Sequence, residues 1–236
     1  DYTTDAIASA HSGGRLRTTN TGAVEGVRLL VASGTLTGTM AVSAPQSVGS
    51  LDEEARTKPA IADFSIDLNS GSASSTDGTH ALYMAGAADG SLLRGLLNSA
   101  GGADFTVTAK VATGVIPNFS GAGIILRDSA GKYVHFGPFG VNDAGYIEYA
   151  QWSDQTTFSS GSNGRGCASG ELWLQVFYDH SAGTIEGRYS FDGENFHAAN
   201  GTNSYLGANV DAVGIGIQHR NASIPQAAWF KHYEVT

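Results

Sequence analysis

The sequence predicts an all-β chain, an antiparallel two-sheet jelly-roll sandwich with a short N-terminal strand and helix extension. Three observations predict it. Short apolar runs alternate with polar residues and recur roughly every 8 to 15 residues, with no amphipathic helices between them. Glycine is abundant, 32 of 236 residues, and supplies positive φ for tight turns without steric cost. Charged residues make up 15%, against about 25% in an average globular chain, so the strong helix formers Glu, Lys and Arg are scarce.

Residues 1–25 are polar and lack strong periodicity. Leu36, Gly38, Met40 and Val42 then alternate with Thr35, Thr37 and Thr39, the period of a half-buried strand. In "SLDEEARTKP", Ser50 and Glu53 have capping-box spacing, Asp52 and Glu53 suit a first turn, and Pro59 closes a helix of about two turns. One strand and one short helix cannot bury a core alone. Residues 1–60 are therefore expected to form an attachment or assembly segment, and residues 61–236 the jelly roll.

From Ile61 the texture is strand, turn, strand. Phe64, Ile66 and Leu68 alternate, "HALYMAG" is an apolar run, and "DFTVTAKVATG" alternates Phe105, Val107, Ala109 and Val111. "SLLRGLLNSAGG" fits a helical face through Leu92, Leu93, Leu96 and Leu97, yet is short and flanked by glycine, so both readings stay open. Two strands surround "DSAGK" in "GAGIILRDSAGKYVHFGPFG", and "YIEYAQW" has aromatic residues on both faces. A three-strand meander follows from Leu172 to Ala199. "AVGIGIQHR" and "AAWFKHYEVT" complete the pattern.

Asp192, Glu194 and His197 fall within one short stretch, "YSFDGENFHAA". They read as a hairpin turn rather than an acid/base centre. Asp-Gly between alternating hydrophobics is a strong hairpin signal, with Asp192 capping the turn, Gly193 at positive φ, and Phe191 and Phe196 anchoring it. Hydrolytic carboxylates must flank a bound sugar, roughly 5 to 10 Å apart, which a hairpin tip does not provide.

The net charge of −9 argues against phosphate tracking on nucleic acid and against docking on anionic lipid. No run of about 18 apolar residues offers a membrane span. Cys167 is the single cysteine, in a polar glycine-rich stretch read as a loop, so neither an intramolecular disulfide nor a cysteine-based zinc site is possible. The seven histidines show no zinc-site spacing. Asp128, Asp143, Asp154 and Asp179 lie near strand ends, where calcium binding competes with the turn-capping role favoured here.

The segments "DFTVTAKV", "AGIILRDSAGKYVHFG", "YIEYAQW", "LWLQVFYD", "TIEGRYSFDGENFHAA", "VGIGIQHRN" and "AWFKHYEV" together resemble a concanavalin A-like, laminin-G-like jelly roll. With "HALYMAG" and "LLRGLLN" upstream, the resemblance extends to domains in structural proteins of tailed bacteriophages and gene transfer agents, over residues 61–236. It implies a virion structural protein, a spike, fibre or tail component at the particle surface. The N-terminal segment would join other virion subunits, in a homo-oligomer such as a trimer. The hydrolases of this fold carry an E-x-D-x-E or E-x-D-x-x-E strand; here "YIEYAQW" offers only Glu148 and "TIEGRYSF" only Glu186, so no enzyme activity is expected. The alternative is a secreted accessory carbohydrate-binding module of a glycoside hydrolase.

Both readings share a neutral glycan as partner, host-surface polysaccharide in the first. Sugars are held by aromatic faces and planar polar side chains. On this ground Trp152 and Tyr146, with Glu148 between them, and Gln218 with Arg220, are the candidate glycan-binding residues on the solvent face of the sheet. Trp173 and Gln175 share a face of another strand, with Trp173 and Tyr149 read more readily as core aromatics. No cofactor is expected.

Overall fold

The computed structural model describes residues 58–69, 73–86, 91–114, 116–141, 144–167, 170–199, 201–220 and 226–236. The strand expected at 35–42 and the helix expected from Ser50 lie outside these residues, as does Asp143. All described residues belong to one compact unit.

The described residues form two seven-stranded antiparallel sheets. The first runs, in spatial order, β1 (Ile66–Leu68), β4 (Leu92–Ser99), β13 (Val210–His219), β6 (Ser120–Asp128), β7 (Tyr133–Val141), β8 (Ala144–Trp152) and β9 (Phe158–Cys167). The second runs β12 (His197–Ala198), β11 (Thr184–Ser190), β10 (Gly170–Asp179), β5 (Phe105–Thr113), β14 (Ala227–Val235), β3 (Leu82–Gly86) and β2 (Ala73–Asp77). The all-β two-sheet sandwich read from the sequence is the fold observed.

Period-two alternation places the core. In β5 the apolar set Phe105, Val107, Ala109 and Val111 is buried and the intervening Thr106, Thr108 and Lys110 are not. Ile124 and Leu126 of β6, Val134 and Phe136 of β7, Ile147 and Tyr149 of β8, and Val213, Ile215 and Ile217 of β13 meet this set from the first sheet. Each such side chain, fully buried, contributes about 1.5–3 kcal/mol. A second apolar cluster gathers Leu93, Leu97, Ile125, Trp152 and their neighbours. Its members alternate with the core residues along their strands, so it lies on the outer face of the first sheet.

That second cluster resolves the ambiguity of "SLLRGLLN". The segment is β4, buried on both faces, and a strand buried on both faces reads as a continuous apolar run without alternation. Strand β9 was expected as a polar loop. Among the described residues it sits at the sheet edge and pairs with β8 alone, and it can therefore be polar. Cys167 ends this strand rather than lying in a loop.

The turns follow their aspartates. Asp128 Oδ1 accepts from the amides of Ala130 and Lys132 at 3.0 and 2.7 Å, and Asp179 Oδ1 from Ala182 at 2.8 Å. Asp192 Oδ1 accepts from the Glu194 and Asn195 amides, both at 2.9 Å, and Gly193 has φ +83°. The Asp192–Gly193 turn is therefore as read. Phe191 is not the anchor expected: it is 67% exposed. The turn rests instead on Trp173 of β10, over which Gly193 packs.

One buried cation joins the sheets. Arg94 of β4 is 2% exposed, donates to the carbonyls of Leu68 and Gly95 at 3.0 and 2.8 Å, and reaches Ser75 Oγ of β2 at 2.7 Å. Asp67 pairs with the same guanidinium.

Candidate functional site

Alternation along β8 sends Ile147 and Tyr149 into the core and Tyr146, Glu148, Ala150 and Trp152 to the outer face. Gln218 of β13 falls on that same face, and Arg220 follows the strand end. The structure brings four of the five sequence candidates together. Arg220 pairs with Glu148 through both terminal guanidinium nitrogens, Nη1 at 3.0 Å from Oε1 and Nη2 against Oε2. Gln218 donates to Glu148 Oε2 at 3.3 Å, and its own oxygen accepts from Arg220 at 3.2 Å and from Trp152 Nε1 at 3.3 Å. Tyr146 is half-buried, lies in register with Phe139, and takes no part in these bonds.

The expected exposure is corrected. Trp152 and Gln218 are 0% exposed and Glu148 1%. They are walled in because the tip of the β8–β9 hairpin reaches over to β4. β8 and β9 occupy one edge, β1 and β4 the other, yet the Ser153–Thr157 tip of the β8–β9 hairpin reaches across. The Leu93 amide donates to the Gln155 carbonyl at 2.8 Å, and Asn69 Nδ2 donates to the carbonyls of Leu93 at 2.7 Å and Gln155 at 3.4 Å. Asp154 does not stand ready for calcium: its Oδ1 accepts from the amides of Thr156 and Thr157 inside this tip. Among the described residues no group of three or more His, Cys, Asp and Glu side chains is arranged to hold a metal ion.

The floor beneath the cluster is made of glycine. Gly95, Gly216 and Gly123 are paired across β4, β13 and β6, and Gly137 of β7 lies beside Gly123 and opposite Glu148. At Gly123 and Gly137 a Cβ would collide with a carbonyl of the adjoining strand. Arg220 is held between two rings, its Cζ 4.0 Å from the Phe139 centroid and 3.7 Å from that of Phe158. Burial pushes the Glu148 carboxyl up, against the opposing pull of Arg220, and pushes the Arg220 guanidinium down. His135, wholly buried on the same face, is held down to about 3, first by burial and then by the Arg220 charge.

Rings on the outer face of the second sheet are partly exposed. There Ala228 and Phe230 point inward, so Trp229 between them points out and is 40% exposed. Tyr83, between inward Leu82 and Met84, is its cross-strand partner, with ring centroids 5.5 Å apart. Trp173 lies on the same face beside His232 at 5.1 Å, with Lys110 Nζ 5.2 Å from its ring. Strand spacing puts the Trp173 and Trp229 backbones roughly 12 Å apart. Between them Glu171 is paired with Lys110 at 2.6 Å and with Lys231. Although partial burial works to raise it, hydrogen bonds from the two lysines hold the Glu171 carboxyl below its ordinary range. Gln175 and Thr108, 3.4 Å apart, continue the face. Sequence reasoning named Trp173 and Gln175 as sharing a face and missed Trp229 and Tyr83. The signal was present, since each stands alone between two core residues.

Fold and face together define an antiparallel two-sheet β-sandwich with an exposed aromatic surface. No protein-family model matches the sequence, and no curated protein does. Among solved structures the chain is similar to a protein of unknown function from Saccharomyces cerevisiae, at 14% identity and a TM-score of 0.57, over 69% of this chain and 91% of that one. It is also similar to a bifunctional GH43-CE protein of Bacteroides eggerthii, at 11% identity and a TM-score of 0.53, over 72% of this chain and 22% of that one. A GH43 glycoside hydrolase engineered for endo-xylanase and exo-arabinofuranosidase activity gives 13% identity and a TM-score of 0.55, over 72% and 37%. The likeness is one of fold, and the chain spans 22% and 37% of the latter two chains.

Proposed function

We propose that this chain is a glycan-binding accessory module, and that the outer face of its second sheet is the binding surface. The observation that carries the proposal is the Tyr83–Trp229 pair, two neighbouring rings standing on a regular sheet with Trp229 40% exposed. Such rings stack on the C–H faces of sugars, and Trp173, Gln175 and Thr108 extend the surface with a further ring and directional polar groups. Glu171 is ion-paired with two lysines, so no bare carboxylate stands between the rings. The fold neighbours include chains described as glycoside hydrolases, and the match covers a minor part of each. That supports the accessory-module alternative raised by the sequence over the virion placement. The module is non-catalytic on this reading. Glycoside hydrolysis uses a pair of carboxyl groups flanking the scissile bond, and Glu171, the carboxylate among these rings, is instead engaged by Lys110 and Lys231.

Binding of the intact protein to a panel of insoluble neutral polysaccharides, xylan and cellulose among them, tests the proposal. One stacked ring is worth about 1 kcal/mol, so each site is weak, roughly millimolar, and Trp229→Ala is expected to weaken retention about fivefold or more. Equal retention of parent and folded Trp229→Ala, or no retention of the parent by any polysaccharide, overturns it.

A further inference from the structure

The aromatic rings on the outer face of the second sheet do not share a plane. Tyr83 and Trp229 are inclined by 50° with centroids 5.5 Å apart, and Trp173 is inclined by 53° to His232 at 5.1 Å. The backbone gives the reason. Tyr83, Trp229 and Trp173 stand on β3, β14 and β10, with β5 between the last two. Each strand twists, so neighbouring strands are rotated by roughly 20–25°, and the three steps from β3 to β10 turn the sheet surface by about 60–75°. The axis of that turn runs across the strands. A straight path from Tyr83 over Trp229 toward Trp173 therefore meets faces that rotate progressively about the path itself. Its far end also carries a step. Gly193 packs on the Trp173 indole, which sets the Asp192–Gly193 turn on the outer face beside the ring. Asp192 and Glu194 in this turn are exposed.

Resting on the glycan-binding reading of this face, we propose that its ligand is a single polysaccharide chain with a helical twist, lying across β3, β14, β5 and β10, rather than the flat surface of a crystalline fibre. Sugar rings at a crystalline surface lie in one plane, held there by bonds to neighbouring chains. Such a plane rests on one of these inclined rings at a time, and the turn beside β10 keeps it off Trp173. A lone chain rotates about its glycosidic bonds and presents successive ring faces at successive angles. It can stack on Tyr83, Trp229 and Trp173 together. The 5.5 Å between Tyr83 and Trp229 is close to the step of one pyranose along an extended chain, so the two rings lie under consecutive residues. The hydroxyl groups along the edges of a lone chain are free to bond, whereas packed chains satisfy one another. Partners for them stand along the path: Lys231 and Glu171, both partly exposed, between the rings, and Gln175 with Thr108 beside Trp173.

Crystalline and amorphous cellulose differ in order and not in chemistry. Adsorption isotherms of the intact protein on the two, with soluble xylan as a third probe, test the proposal. Amorphous cellulose and xylan are expected to bind about tenfold more tightly than crystalline cellulose, since a plane forfeits the stacking of all but one ring. Soluble xylan should release the protein from amorphous cellulose. With xylo-oligosaccharides of increasing length, affinity should rise until the chain reaches from Tyr83 to Trp173 and then level off. Trp173→Ala should weaken the long oligomers by about fivefold, the worth of one stacked ring, and leave the short ones unchanged. Gln175→Ala, at the same end of the path, is a milder variant with the same expected pattern; thermal melts identify which variants are folded. Crystalline cellulose bound as tightly as amorphous, or an affinity that does not grow with oligomer length, overturns the proposal and leaves the glycan-binding reading standing. Binding to none of the three probes also overturns it, and retention by no polysaccharide of the wider panel removes the reading beneath it.

Discussion

Gly193 lies against the Trp173 indole so closely that a Cβ there would stand 2.8 Å from Cε2 and 2.9 Å from Nε1. Two constraints meet at this residue, the positive φ of the turn and the ring beneath it. Gly193→Ala is expected to destabilise by about 1 kcal/mol or more. In a Trp173→Ala background the ring is gone and only the φ cost remains, so the second substitution should cost less. Urea denaturation of the four proteins measures the difference. Identical costs in both backgrounds would show that the ring plays no part.

Removing the Arg94 clasp should loosen the seam between β4 and β2. Its hydrogen bonds to Leu68 O, Gly95 O and Ser75 Oγ come from one rigid fork, which an ammonium cannot reproduce. Arg94→Ala is expected to cost about 2 kcal/mol or more, and Arg94→Lys to recover little of it. Parent-like denaturation midpoints for Arg94→Lys would refute the geometric argument.

Acid should destabilise the fold through its buried histidines. Burial holds His135 down to about 3 and His219 to about 4, below the ordinary value of about 6.5. Between those limits the unfolded chain binds more protons than the folded one, so stability rises with pH and is lost as pH falls from about 6.5 toward 3. Glu148, raised by burial, acts in the opposite sense and blunts the acid end. His135→Leu should therefore lose less stability than the parent between pH 7 and pH 4. At pH 7.5 it should stay within about 1 kcal/mol of the parent, since two unpartnered nitrogens leave with the ring. Denaturant midpoints across that range decide it.

The glycine floor predicts a contrast between positions. A Cβ at Gly137 would collide with the Ala122 carbonyl, whereas one at Gly166 meets nothing nearer than Gly145 O at 3.7 Å. Gly137→Ala should cost about 1–3 kcal/mol and Gly166→Ala under about 0.5 kcal/mol. Equal melting temperatures for the two variants would contradict the close packing of β6 on β7.

Much of this fold was legible because alternation is enforced by burial on one face. Phe105 to Val111 and Val213 to Ile217 announce their inward side directly, and Asp-Gly announces the hairpin. What escaped is what depends on more than one strand. Trp152 follows a polar-looking alternation and leads into a polar loop, so it reads as exposed. It is buried because the loop after it crosses to Leu93 on the opposite sheet edge, a contact no local pattern encodes. Glu148, Gln218 and Arg220 fall on one face, yet their pairing joins β8 to the end of β13, strands far apart in sequence. Strand β9 escaped because an edge strand needs no apolar period. Trp229 and Tyr83 were hidden by their neighbours, whose core signal dominates each segment.

The order of strands in space has a consequence for how the chain acquires its structure. β13 lies between β4 and β6 in one sheet, and β14 between β5 and β3 in the other. Until residues 210–235 have been synthesised, each sheet exists as two separate fragments with unpaired edges. The last two strands then stitch both sheets at once, over long sequence separations such as Ile217 to Arg94 and Trp229 to Tyr83. Such topology makes productive folding a late, slow and all-or-none event, with the nascent chain exposed to strand-to-strand association until it is over.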